Sequence, residues 1–132
     1  MPATLDGDPQ EEIRLMVSTA STCHIFDFET YKRGKLHKEY PHMLNYVPYR
    51  PGVDNVSITS VYAPPGATPM TIHGTAAIPI IIDGYLYEVP DVFLVDTSPQ
   101  VQGIFSGKFL ADYKLQFSFT ADGMQRVIPP PQ

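Results

Sequence analysis

Hydrophobic and polar positions along the chain divide it into a helical first third and a strand-rich remainder. Residues 1–9 are polar and acidic, with Gly7 and Pro9, and predict a flexible lead. Asp8, Pro9, Glu11 and Glu12 then form a helix-start pattern: a cap, a proline at the first position and acids facing the helix dipole. A short helix is expected through Thr19, burying Ile13, Met16 and Val17 at i, i+3, i+4 spacing. A second helical window covers Phe28 to Tyr46, interrupted at Gly34 and Pro41 and carrying the basic run Lys32-Arg33-Gly34-Lys35, which reads as a solvated face. Pro48, Pro51 and Gly52 end anything helical.

From Val53 onward the pattern is one of strands and turns. Val56 to Tyr62 alternates in part, and Ala63-Pro64-Pro65-Gly66-Ala67 follows as a turn or exposed loop. Met70 to Ile82 predicts a second strand, Asp83-Gly84 a type I′ turn, and Tyr85 to Val95 a third strand. Pro79 and Pro90 inside these runs require edge positions or bulges, because proline cannot donate to a ladder. Gly103-Ile104-Phe105 continues the sheet, and Tyr113, Leu115, Phe117 and Phe119 alternate within an expected strand from Phe109 to Phe119. After a turn at Ala121-Asp122-Gly123 the chain closes on Val127 to Gln132, rich in proline. The expected fold class is α+β: N-terminal helices followed by an antiparallel β-meander, in one domain over residues 10–132.

Composition narrows the partners. With a net charge of −5 the chain is not drawn to nucleic acid or anionic membrane at long range, so protein or peptide is the expected partner. Its one cysteine, Cys23, cannot form an internal disulfide, and the first residues lack a signal peptide's basic and apolar regions; a reducing, cytoplasmic setting is expected. No apolar run approaches the roughly 20 residues that span a bilayer. The 14 prolines limit the length of every element.

Motifs of catalysis are sparse. His24, His37, His42 and His73 are scattered and Cys23 has no CxxC partner, so neither a metal nor another cofactor is expected. Cys23 and His24 are adjacent, and neighbours on a strand point to opposite faces, which disfavours a nucleophile–base pair. No GxGxxG, P-loop or GxSxG string is present. One string has catalytic character: Phe93-Leu94-Val95-Asp96-Thr97-Ser98, preceded by Ile80-Ile81-Ile82-Asp83-Gly84, resembles the strand, turn, strand and Asp-Thr-Gly of retroviral-type aspartic proteases. There each subunit of a homodimer supplies one aspartate. Serine stands for the third-position glycine here, and the Gly84-to-Asp96 spacing is longer than that family's hairpin.

A wider resemblance spans roughly 100 residues. His73-Gly74-Thr75, Ile78-Pro79-Ile80, Gly84, Tyr87, Val89-Pro90 and Asp96-Thr97-Ser98-Pro99 are similar, in order and in nearly all spacings, to the central motif of the ubiquitin-conjugating-enzyme variant domain of ESCRT-I. Thr120-Ala121-Asp122-Gly123 to Ile128-Pro129 resembles that family's Asp-Ala-Asn-Gly segment. The stretch from Met124 to Ile128 has no cysteine where active conjugating enzymes carry one, so the resemblance implies a non-catalytic module of endosomal sorting. It further implies a slot for proline-rich peptides built by Ile82, Tyr87, Val89, Pro90 and Tyr113, and a ubiquitin contact at Tyr62, Pro64 and Pro65. Two alternatives stand beside it: a cellular or viral assembly protein that packs against copies of itself, and the aspartic protease.

Overall fold

The structure, a computed structural model, describes residues 1–6, 8–34, 45–59, 66, 68–97 and 100–131. Six strands close into a mixed barrel. In chain order the elements are β1 (Pro2–Leu5), β2 (Asp8–Ser18), β3 (His24–Asp27), α1 (Phe28–Arg33), β4 (Val47–Pro48), β5 (Ile72–Ile82), β6 (Tyr85–Val95), β7 (Gly103–Ser106), α2 (Gly107–Tyr113), β8 (Gln116–Phe119) and β9 (Gln125–Ile128). Around the barrel the order is β1-β2-β7-β3-β6-β5, and β1 returns to pair with β5 at Thr4↔Ile81 and Leu5↔Ile80. β4 adds to the free edge of β5. The expected helices-then-meander architecture is therefore corrected: the first long element is a strand, and the sheet mixes parallel with antiparallel pairs. Pro2–Leu5, within the expected flexible lead, is itself a barrel strand, with Ala3 and Leu5 buried.

Strand β2 takes the place of the expected first helix because its apolar spacing is ambiguous. In Ile13-Arg14-Leu15-Met16-Val17 the apolar positions satisfy both a helical and an alternating period. Alternation wins, because Ile13, Leu15 and Val17 are buried while Arg14 is exposed, and β2 pairs antiparallel with β1 and parallel with β7. Among its described residues the second helical window holds the short α1. Its remainder, residues 35–44, lies outside the described residues.

The β5–β6 hairpin forms where its turn signal puts it, with Asp83 and Gly84 at φ +51° and +81°, the pair of positive angles a type I′ turn requires. Pro90 is accommodated by a bulge: Ile78 pairs with Val89 but Ala76 with Val92, so Pro90 and Asp91 together face Ala77. The bulge also switches the inward-facing positions of β6 from Tyr87 and Val89 to Val92 and Leu94. The expected strand from Phe109 splits instead: Ser106 caps α2 by accepting from Lys108 N–H, and only Gln116–Phe119 is extended.

The barrel encloses Phe26, Tyr31, Ile78, Ile80, Leu94 and Phe105, with α2 adding Phe109. Gly103 is required where β7 crosses this core, since a Cβ there would lie 2.6 Å from Leu15 Cδ2 and 3.0 Å from Phe26 Cδ2. The β8–β9 hairpin is a separate two-stranded sheet. A side chain fastens it to the barrel: Val17 N–H donates to Gln125 Oε1 (2.8 Å), and Gln125 Nε2 donates to Val17 C=O (3.1 Å). The carboxamide thus imitates one further strand residue. Gln125→Ala should lower stability by about 1–3 kcal/mol, the cost of leaving partly buried backbone groups unpaired, as measured by urea unfolding. Gln125→Glu, which keeps the acceptor and loses the donor, should fall between; an unchanged unfolding midpoint in the alanine variant would remove the latch.

Candidate functional site

Strand β3 lies inside the sheet, parallel to β6 and antiparallel to β7. Alternation along it sends His24 and Phe26 to one face and Cys23, Ile25 and Asp27 to the other. His24 is buried edge-on against Phe105 and accepts a hydrogen bond from Ser106 N–H at Nδ1 (3.0 Å). Burial, and then Lys108, push its pKa down. Cys23 faces away from it, and burial pushes the thiol's pKa up, so the adjacent pair forms no dyad.

The face bearing Cys23 and Ile25 carries a cavity of about 520 Å³. Its floor includes Met16, Ile25, Phe93 and Ile104 from four adjacent strands, and its opposite wall is the segment Val56–Thr59 with Met70. Met70 N–H donates to Ile58 C=O (2.7 Å), and Tyr49 Oη donates to Asp54 C=O (2.7 Å), which holds this covering segment in shape. The lining is apolar with hydroxyls and Cys23 at its margin, and it holds no charged side chain among the described residues.

At the carboxyl end of β3, beside Thr97 of the cavity wall, sits Asp27. Its carboxylate accepts from three donors: Thr30 N–H (3.0 Å) and Thr30 Oγ1 (2.8 Å) on Oδ2, and Thr97 N–H (3.3 Å) on Oδ1. The residue caps α1, which explains why the helix begins at Phe28. Asp96 follows the neighbouring parallel strand β6, but its Oδ1 accepts from His73 Nε2 (2.9 Å), and it is well exposed. His73 in turn lies flat on Phe28, with ring centroids 4.3 Å apart and planes 14° from parallel.

The residues expected to form a peptide slot are brought together, but into the core. Ile82, Tyr87 and Val89 are buried on the inner face of the hairpin, whereas Pro90 is exposed at the bulge. Tyr113 packs edge-on against Tyr87 at 5.1 Å and donates from Oη to Glu88 C=O, sealing α2 to β6. The expected ubiquitin-contacting residues Tyr62, Pro64 and Pro65 lie outside the described residues. Asp27 was not among the expected site residues. The signal that finds it is an apolar run, Ile25-Phe26, ending in an aspartate with Thr30 three positions on, a strand that stops at a helix cap.

The strands so assembled make a small closed barrel of mixed parallel and antiparallel pairs. Among solved structures the chain is similar to the retroviral protease-like domain of Ddi1 from Leishmania major, with a TM-score of 0.54 and 12% identity over 97% of this chain and 91% of that one. Neither a protein-family model nor a curated protein sequence matches it. The similarity is one of fold, and it overturns the ubiquitin-conjugating-enzyme variant resemblance: the residues from His73 to Val95 that carried it form one wall of a barrel. With that resemblance falls the ground for expecting no enzyme, since the missing conjugating-enzyme cysteine has no bearing on this fold.

Proposed function

We propose that the chain is an aspartic peptidase domain of retroviral type, active as a homodimer in which Asp27 of each copy forms the catalytic pair. The observation that supports this most directly is the Asp27 carboxylate, held by three donors, one of them the N–H of Thr97, which lines the covered cleft. Two carboxylates brought together cannot both ionise, so the pair holds one proton. The ionised member draws a proton from water as it attacks the peptide carbonyl, and the protonated member hydrogen-bonds to the carbonyl oxygen. The cleft, about 520 Å³ and lined by Met16, Ile25, Phe93 and Ile104, receives an apolar substrate side chain next to the scissile bond.

The tripeptide at this position is Asp27-Phe28-Glu29, where the family writes Asp-Thr-Gly. Glu29 turns outward to pair with Lys32 (2.8 Å), and Phe28 stacks on His73, so neither intrudes on the carboxylate's hydrogen bonds. The experiment is cleavage of a diverse peptide mixture by the purified chain between about pH 3 and 6, the range in which such pairs hold one proton. Cleavage beside large apolar residues is expected, with a rate per chain that rises with protein concentration as dimers form. Absence of cleavage at concentrations where sedimentation shows a dimer would refute the proposal.

A further inference from the structure

Two chain segments supply the donors that fix the Asp27 carboxylate. One is the start of α1, through Thr30; the other is the exit of β6, through Thr97 N–H. A single imidazole touches both. His73, at the start of β5, stacks face to face on Phe28, the residue after Asp27, and its Nε2 donates to Asp96, the residue before Thr97. Its own carbonyl accepts from Tyr49 N–H (3.0 Å), which leads into the segment covering the cleft. Lys32 Nζ also lies 4.7 Å from the centroid of the Phe28 ring.

We propose that His73 is a positioning residue: stacked on Phe28 and bonded to Asp96, it cross-braces the two segments that orient the Asp27 carboxylate. The Thr97 N–H to Asp27 Oδ1 bond is the longest of the three at 3.3 Å and the only one of them made across the barrel wall, from the end of β6 to β3. The two Thr30 bonds are local to one helix turn and form whenever α1 does. Only the bond across the wall depends on how the end of β6 lies against the start of α1. An imidazole suits the position because it offers a flat ring and an N–H in the plane of that ring, so one side chain can stack and donate at once.

The inference rests on the peptidase reading for its consequence but not for its test. Hydrogen exchange at the Thr97 amide reads the brace directly, whether or not the domain cleaves peptides. In His73→Ala and in Asp96→Ala the Thr97 amide should exchange about tenfold faster, the effect of weakening one hydrogen bond, while amides of Phe26 and Leu94 in the barrel stay as protected as before. His73→Phe, which stacks without donating, and His73→Gln, which donates without stacking, should each lie between. In the active dimer His73→Ala should lower kcat about tenfold with KM nearly unchanged, because the substrate cleft is intact and only the carboxylate's orientation is lost. Thr97 exchange unchanged in both alanine variants would overturn the brace. Faster exchange in these variants of a protein whose wild type shows no cleavage would leave the brace standing and remove the peptidase reading alone.

Discussion

Asp27→Asn should abolish peptide cleavage, with a loss of at least about 100-fold in kcat, the scale of removing a general acid–base group. In a homodimer the substitution removes both members of the pair at once, and a carboxamide can neither take a proton from water nor give one to the carbonyl oxygen. The fold should survive. Asparagine caps helices about as well as aspartate, so the Thr30 N–H and hydroxyl keep an acceptor. If the new carboxamide keeps its carbonyl toward Thr30, the Thr97 N–H meets an NH₂ group in place of an oxygen, a cost of about 1 kcal/mol. Activity and urea unfolding measured on the same preparation separate the two effects. Cleavage retained in Asp27→Asn but lost in Asp96→Asn would move the chemistry to the end of β6.

Why Asp96 stood out in the sequence and Asp27 did not is a matter of what a string can carry. Asp96-Thr97-Ser98 keeps two of the three residues of a known tripeptide, whereas Asp27-Phe28-Glu29 keeps one. What singles out Asp27 is its place: an interior strand, flanked by β6 and β7, ending at a helix cap beside a cleft. Those neighbours arrive from residues 92–106, some 70 positions along the chain, and no local pattern announces them. The β5–β6 hairpin was legible because turn, length and proline positions are all local. Strand β2 was not, since Ile13 to Val17 fit both periods, and its partners β1 and β7 decide between them. Helix α2 was hidden for a related reason: Phe117 and Phe119 extend a true strand, and alternation back through Leu115 and Tyr113 ran on into a helix whose Ser106 cap was the better signal.

The cleft and the core lie on opposite faces of the same strands, and this divides the consequences of mutation. Met16, Ile25, Phe93 and Ile104 line the cavity, while their sequence neighbours Leu15, Val17, Phe26, Val92, Leu94 and Phe105 fill the barrel. Substitutions of Met16, Phe93 and Ile104, which are partly exposed, should alter which side chain the cleft accepts with small effects on stability, whereas Ile25 is buried and its truncation should cost stability as well. Substitutions of the second set act on the whole fold, because each buried side chain touches several strands at once.

Tyr87→Ala should strongly destabilise the protein, by about 3–5 kcal/mol, the range for truncating a large aromatic side chain in a core. A residue lining a peptide slot would expose one ring face and could be truncated with little loss. Tyr87 is instead 5% exposed, and its ring makes edge contacts with Phe109 at 5.5 Å and Tyr113 at 5.1 Å. It joins β6 to α2 across the open side of the hairpin, opposite Ile80 on β5. Burial also pushes its phenol pKa upward. Against a total stability of about 5–15 kcal/mol, such a loss removes a large share of it. Tyr87→Phe keeps the ring and its edge contacts, so its unfolding midpoint should stay close to that of the wild type. A Tyr87→Ala protein that melts like the wild type would show that the ring is dispensable to the seam, and with it that α2 is held against the barrel by Phe109 and Tyr113 alone.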